Sequence, residues 1–324
     1  MKKTLAIIIC LFLVPLLFAD EKQASKFHFE ASIGAGLQFG ILTENFYAET
    51  SQNDLYRVSW LKWETLPAVL GDIDATVGYT FSNRHSINFE AFFSSAFPDV
   101  TGSMEDFDAL FFDGRVTDFS HHENYTDLLI STGFYADYTF SNGLGAGIGF
   151  EYDNVKFRGQ NGYAQHNTIG NYTYGYWTED MPHNSDYTGY TVITYSFFSF
   201  YWKIGMIWQH EFTNHFGIKL DAWLNLYRYN QALDIHYSII PNIPYTYFTD
   251  VVEVWFSGVE IRAAFDIPLS KHFALSFRLG GTYLPDAYGP DYNGEPPNYS
   301  RNVGYKGGFE SWSASGNIAV LFRL

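Results

Sequence analysis

The sequence is poor in cysteine, in basic residues and in long apolar runs. Its one cysteine, Cys10, lies in the apolar segment near the N-terminus. If that segment is removed, the mature chain has no disulfide, no thiolate nucleophile and no cysteine-ligated metal. No later apolar run reaches the roughly 18 residues that a membrane-spanning helix needs. These absences exclude a disulfide scaffold and a helical membrane protein.

The N-terminal segment has the organisation of a secretory signal peptide. Lys2 and Lys3 precede an apolar core, and Ala19 stands at a suitable cleavage point. The bulky Ile9 before Cys10 argues against lipoprotein processing. We therefore expect residues 1–19 to be removed and residues 20–324 to form one domain, since no linker rich in Ser, Gly or Pro divides them.

Acidic residues dominate the charge of the mature chain. Without Lys2 and Lys3, 17 basic residues stand against 35 acidic ones, a net charge of about −18 with histidine neutral. Such a balance makes nucleic acid an improbable partner and favours cationic substrates.

The clearest structural pattern is a strict alternation between Phe216 and Tyr227. One face is wholly apolar, and the opposite face carries Lys219, Asp221 and Asn225. A period of two indicates a β-strand, and an apolar face opposite a charged one is typical of a membrane barrel with lipid outside and a wet interior.

Similar runs repeat along the chain and predict an all-β fold, a ten-stranded antiparallel transmembrane β-barrel. An even number of strands closes the sheet without a free edge. The predicted strands are 28–46, 56–81, 85–106, 125–140, 144–162, 188–211, 215–237, 251–267, 273–287 and 312–324. Several exceed 20 residues, so the barrel should extend well above the membrane on the extracellular side.

Short and long connections alternate between these runs. The short ones are four tight turns at 81–84, 140–143, 212–215 and 267–271, and the long ones are 47–55, 109–124, 163–187, 238–250 and 288–311. Most tryptophans, Trp63 among them, are predicted to belong to interfacial aromatic girdles.

Two acidic motifs near strand ends could carry chemistry. Asp106 and Asp108 are two residues apart, as are Asp234 and His236. A carboxylate can orient an imidazole that acts as a general base, and two close carboxyl groups can share a proton and hold a water molecule. From spacing alone, solvated polar residues or cation ligands without catalysis remain alternatives. Unbroken alternation would point Asp234 and His236 outward, so we predict a β-bulge or a twist between Tyr227 and Asp234 that turns them inward.

The runs Ser103–Asp108, Thr117–His122, Asp234–His236 and Gly36–Tyr47 together resemble the omptin family of outer-membrane proteases. The resemblance extends over nearly the whole mature chain. It implies a ten-stranded barrel that cleaves polypeptides with a water nucleophile held between two side-chain couples.

When the catalytic positions of the family are transferred residue by residue to this sequence, the resemblance makes Asp106 and Asp108 one catalytic couple and Asp234 and His236 the other. It also implies that Glu44 and Asp118 bind substrate. Ala232 stands where members that prefer basic residues have a second pocket acid, which puts a dibasic preference in question. No metal or other cofactor is implied apart from lipopolysaccharide, for which Lys156 and Arg158 are candidate ligands.

The sequence thus predicts a monomeric endopeptidase in the outer membrane of a diderm bacterium, with its active site facing outward. Its partners would be cationic polypeptide substrates and outer-membrane lipid, and no nucleic acid. The alternative is a non-catalytic barrel of the same shape that binds host proteins or glycans as an adhesin or receptor. A small pore is a third hypothesis, disfavoured by the large Tyr and Trp side chains on the inward faces.

Overall fold

The computed structural model describes residues 26–52, 54–169, 172–212, 216–237 and 245–324. The predicted signal peptide lies outside them. These residues form antiparallel β-strands, and none of them belongs to a helix that could cross a membrane. The strands are β1 Lys26–Glu49, β2 Leu55–Thr80, β3 Ser86–Ala96, β4 Asp99–Asp108, β5 Asp118–Thr139, β6 Leu144–His166, β7 Thr168–Ile169, β8 Tyr172–Thr173, β9 Ser185–Asp186, β10 Thr191–Phe212, β11 Phe216–His236, β12 Thr246–Trp255, β13 Val259–Pro268, β14 Phe273–Asn293 and β15 Ser300–Arg323.

The strands close into a ring. β1 pairs with β2 on one side and with β15 on the other, and every further neighbour is antiparallel. β3 and β4 both pair with β2 and β5, and β12 and β13 both pair with β11 and β14. Each of these couples therefore forms one interrupted barrel strand. The ring has ten barrel strands, which confirms the predicted all-β barrel.

The barrel strands reach further than the sequence pattern predicted. β5 starts at Asp118 instead of residue 125, and β15 starts at Ser300 instead of residue 312. β14 continues to Asn293, beyond the predicted end at residue 287. Three of the predicted tight turns are present, at 81–85, 140–143 and 268–272, whereas residues 213–215 of the fourth lie outside the described residues.

The outer surface carries an apolar belt. Each barrel strand contributes a large hydrophobic residue that is more than two fifths exposed, for example Met206 at 69% and Ile33 at 64%. One such residue from each barrel strand, in chain order, is Ile33, Ile73, Phe89, Phe134, Ile148, Met206, Leu220, Ile261, Leu279 and Ile318. A continuous apolar surface of this kind indicates contact with lipid.

Charged groups fill the interior behind this belt. The ammonium of Lys203 lies 2.5 Å from a carboxylate oxygen of Glu151 and 2.6 Å from one of Glu260. The guanidinium of Arg262 lies 2.8 Å from Asp221. Opposite charges compensate one another there, so the lumen is bridged by ion pairs.

An apolar layer separates this charged interior from one end of the barrel. Its largest member, Trp63, is fully buried and stacks on Phe157 and Tyr195 at centroid distances of 5.6 and 5.8 Å. The prediction that Trp63 belongs to an interfacial girdle is therefore wrong. The side chain faces inward and fills the barrel. Met104 and Ala232 belong to the same layer, two residues before Asp106 and Asp234. The predicted site residues thus stand directly on an apolar floor.

Candidate active site

Asp234 and His236 project from the end of β11 into the barrel. An imidazole nitrogen of His236, Nε2, lies 2.5 Å from a carboxylate oxygen of Asp234. The Asp234 side chain is 4% exposed, whereas that of His236 is 36% exposed. Asp234 is therefore held in the wall, and it presents the imidazole to the opening.

A β-bulge turns this pair inward. Trp202 of β10 pairs with Tyr227, and Lys203 pairs with Asn225, so Leu226 is an extra residue in β11. Before the bulge the odd-numbered residues face inward, and after it the even-numbered ones do. The predicted inward turn is present, but the bulge precedes the predicted interval by one residue. As a consequence Tyr227, predicted to face inward, packs outside against the exposed Trp255.

Asp106 and Asp108 occupy the end of β4. In the register, Asp106 faces Leu61 of β2 and Ser120 of β5, and Asp108 faces Ser59 and Asp118. The Ser59 hydroxyl donates a hydrogen bond to Asp108. One carboxylate oxygen of Asp106 is buried without a hydrogen-bond partner among the described residues.

The Asp106–Asp108 pair and the Asp234–His236 pair lie on barrel strands that are not neighbours. Both pairs nevertheless line one cleft. The cleft has a volume of about 580 Å³, and all four side chains border it. Glu44 of β1 and Asp250 of β12 border it too. Curvature of the closed sheet brings these groups together.

The charges of the four candidate catalytic side chains strongly affect one another. Burial would lower the pKa of His236, but the negative charges of Asp234, Asp106 and Asp108 outweigh it and raise that pKa to about 9. Burial and the neighbouring Asp108 carboxylate raise the pKa of Asp106 well above its usual value, although His236 opposes this. Burial also raises the pKa of Asp108. Asp106, Asp108 and His236 therefore keep their protons to higher pH than free side chains of the same kind.

Asp118 is engaged in a structural role. Its carboxylate accepts hydrogen bonds from the backbone N–H of Thr168 at 2.9 Å and from the Thr168 hydroxyl at 2.7 Å, and it lies 3.5 Å from His166. Its side chain is 3% exposed and does not border the cleft. Burial would raise the pKa of Asp118, but the interactions with His166, Thr168 and Thr117 outweigh it and lower that pKa to about 2. Asp118 therefore holds Thr168 at the start of β7, and its predicted contact with substrate stays a prediction.

Glu44, a predicted substrate-binding residue, belongs to an acidic cluster beside the catalytic candidates whose other two members were missed by sequence reasoning. Glu44, Asp250 and Asp291 are all at least 95% buried, and Glu44 and Asp291 both exchange a hydrogen bond with Asp250. Burial first, and then neighbouring carboxylates, raise the pKa of Glu44 and of Asp250 well above the usual range. Asp250 and Asp291 were predicted to lie in loops, whereas they belong to β12 and β14.

No group of three or more His, Cys, Asp or Glu side chains within the described ranges has the geometry of a metal site.

Asp234→Asn is expected to lower the pKa of His236 from about 9 by roughly 1–3 units, because it removes the largest favourable charge beside the imidazolium. A histidine NMR titration measures this change, with His210, which is exposed on β10, as the internal control. An unchanged His236 titration would show that Asp234 does not set its charge.

The fold and the cleft together define a class of protein, a ten-stranded outer-membrane-type β-barrel with an acidic cleft at one end. Among solved structures, the chain is similar to the outer membrane protease OmpT from Escherichia coli, with a TM-score of 0.70 and 15% sequence identity. The alignment covers 92% of this chain and 97% of OmpT. The omptin resemblance is confirmed at the level of the fold.

Two other barrels align much less well. The β domain of the Bordetella autotransporter BrkA gives a TM-score of 0.29 at 10% identity, covering 90% of this chain and 100% of its own. The translocator domain of NalP from Neisseria meningitidis gives 0.31 at 10% identity, covering 90% and 88%. Such values support no conclusion about this chain. No protein-family model matches the sequence, and no curated protein sequence matches it either.

Proposed function

We propose that this protein is an outer-membrane endopeptidase that hydrolyses extracellular cationic polypeptides with an activated water molecule. The observation that carries the proposal is the meeting of Asp106 and Asp108 with Asp234 and His236 in one cleft. Similarity to a barrel protease supports it at the level of the fold.

In this mechanism the water lies between the two couples. Neutral His236 accepts one proton from the water while the water oxygen attacks the scissile carbonyl carbon. Asp234 keeps the imidazole oriented and stabilises the imidazolium that forms. The Asp106 and Asp108 couple, holding a shared proton, positions the water and faces the developing oxyanion. Collapse of the tetrahedral intermediate breaks the C–N bond, and the leaving amine takes its proton from His236.

The proposed location follows from the outer surface and the two barrel ends. The apolar belt would lie in the lipid, and the short turns at 81–85, 140–143 and 268–272 would face the periplasm. The cleft lies at the other end, where β4 and β11 terminate, and would face the extracellular side.

A requirement for lipopolysaccharide also stays a proposal. The guanidinium of Arg158 is 3.0 Å from a carboxylate oxygen of Asp127 and stacks on Tyr125, while Lys156 is exposed two residues away. Refolded protein assayed with and without lipopolysaccharide tests whether this basic pair has an activating ligand.

The test of the proposed function is cleavage of basic peptides by refolded protein, with products identified by mass spectrometry. We expect cleavage by the wild-type protein that is insensitive to metal chelators and reduced about 100-fold or more in Asp106→Asn. Tight peptide binding without cleavage would favour the adhesin or receptor alternative. Loss of activity with a chelator would contradict the proposed water activation.

A further inference from the structure

Two cavities share the barrel interior, one on each side of the apolar layer around Trp63. One is the cleft of about 580 Å³, which is bordered by Leu61 of that layer. The other has a volume of about 420 Å³ and extends from Glu30 and Asp266, near the end with the short turns, to Phe157 of the layer. The two cavities therefore end at opposite faces of the same apolar layer.

Aromatic rings cross the barrel between the two cavities. Trp63 stacks on Phe157 and on Tyr195 at centroid distances of 5.6 and 5.8 Å. Tyr195 lies 6.2 Å from Phe197, and Phe197 meets Phe309 edge-on at 4.7 Å. These five residues come from β2, β6, β10 and β15, and each is at most 4% exposed. Since Trp63 and Tyr195 border neither cavity, their rings separate the two.

The apolar layer reaches the barrel wall on almost every side. Every barrel strand except β5 contributes an apolar side chain to it, and Asn124 of β5 is fully buried too. A closely packed interior leaves few voids that could hold water, and an apolar constriction in a pore excludes water and ions. The layer should accordingly stop ions between the two cavities.

A buried positive charge lies beside the rings. Arg228 of β11 is fully buried, and its guanidinium carbon lies 5.4 Å from the ring centroid of Phe309. Its Nη2 atom donates a hydrogen bond to the carbonyl oxygen of Pro285 at 3.3 Å, while Nε and Nη1 have no hydrogen-bond partner among the described residues. A charge in a packed interior is weakly screened, so Arg228 repels any cation that approaches the layer.

Both cavities attract cations. Asp106, Asp108 and Asp234 border the cleft. Around the second cavity, acidic side chains are more than twice as numerous as basic ones. One of these acids, Asp72, accepts its hydrogen bond from the neutral amide of Asn317, at 2.9 Å. Without a barrier between them, the two cavities would form one path that concentrates cations along the whole barrel.

We propose that the five stacked rings and Arg228 form a seal that prevents cations from crossing the barrel. The rings exclude water from the middle of the path, and the guanidinium raises the energy of a cation there. With this seal, the barrel can present acidic groups at both ends without conducting cations between the two compartments. The inference concerns permeability and does not depend on the proposed proteolysis.

The experiment measures the conductance of planar lipid bilayers that contain refolded protein. The wild-type protein should show no single-channel steps in KCl. Trp63→Ser combined with Tyr195→Ser should produce steps, because two polar side chains replace the rings that separate the cavities. In a KCl gradient the reversal potential of this double variant should lie towards the equilibrium potential of K⁺, since acidic groups dominate both cavities.

The contribution of Arg228 is tested in the opened barrel. Adding Arg228→Met to the double variant removes the positive charge and keeps most of the side-chain volume. The K⁺ conductance should increase, and the reversal potential should move further towards that of K⁺. An unchanged conductance and reversal potential would overturn the role of Arg228 in the seal.

Tyr227→Ser combined with Trp255→Ser is the matched control. It removes the same two ring types from the outer surface, where they lie 5.0 Å apart, and should leave the barrel closed. Circular dichroism confirms that each variant has refolded. If the double variant of Trp63 and Tyr195 does not refold, Trp63→Ala alone should give briefer openings. Channel steps in the wild-type protein, or none in any refolded variant of the two inner rings, would overturn the inference.

Discussion

His236→Ala is expected to reduce kcat/KM for a basic peptide by about a thousandfold, the typical contribution of a positioned general base. The imidazole is partly exposed and is hydrogen-bonded to the buried carboxylate of Asp234. Removing it leaves Asp106 and Asp108 without a neighbouring base to accept the proton of the water. Steady-state kinetics with refolded wild-type and variant protein measure the loss.

The pH dependence of kcat/KM of the wild-type protein is a second test of the role of His236. Only the neutral imidazole can accept a proton, and the pKa of His236 is raised to about 9 in the free protein. The value of kcat/KM should therefore rise with pH up to about 9 and then level off. In Asp234→Asn the rising limb should move to lower pH, because the imidazolium loses its partner.

The control for this prediction is His210→Ala, which removes an exposed histidine that stacks on Trp208 at 6.0 Å, outside the cleft. It should cleave peptides at the wild-type rate. A His236→Ala protein that folds and retains wild-type kcat/KM would eliminate the proposed mechanism.

Lys203→Met is expected to lower the free energy of unfolding by about 3–5 kcal/mol, the usual cost of removing one partner from a buried ion pair. The Lys203 side chain is 3% exposed and holds Glu151 and Glu260 at 2.5 and 2.6 Å. Its removal leaves two carboxylates facing each other in the barrel interior. Urea unfolding of detergent-solubilised protein, followed by intrinsic tryptophan fluorescence, measures the change.

Lys62→Met is the matched control. Lys62 pairs with Glu105 at 3.4 Å, but the two side chains are 40% and 32% exposed. Exposed ion pairs contribute about 0–1 kcal/mol, so this variant should unfold almost as the wild type does. Equal stability of both variants would show that the interior charges are hydrated and independent of one another.

Sequence periodicity predicted the barrel because lipid imposes it. In Phe216–Leu226, every second side chain must be apolar where the strand crosses the belt, and the interior face must carry the charges that balance one another. The number of barrel strands and three of the short turns followed from that constraint and are present.

The same reasoning failed above the belt, because lipid no longer covers the outer face there and the inner face carries buried polar groups. Backbone pairing continues in β12 and β14, but their side chains no longer alternate between apolar and polar. Asp250 and Asp291 were assigned to loops for this reason, and so was Asp118. The motifs and the omptin resemblance supplied Asp106, Asp108, Asp234, His236 and Glu44, but not Asp250 and Asp291 beside them.

By itself, the sequence determined a closed antiparallel barrel, its acidic character and the two acidic motifs, since these depend on local periodicity and composition. Only the tertiary structure decided which side chains share the cleft. The bulge at Leu226 sets the direction of His236, and the β11–β12 register places Asp250 opposite Ala232. Both depend on how distant strands pair when the sheet closes, and no local pattern encodes that pairing.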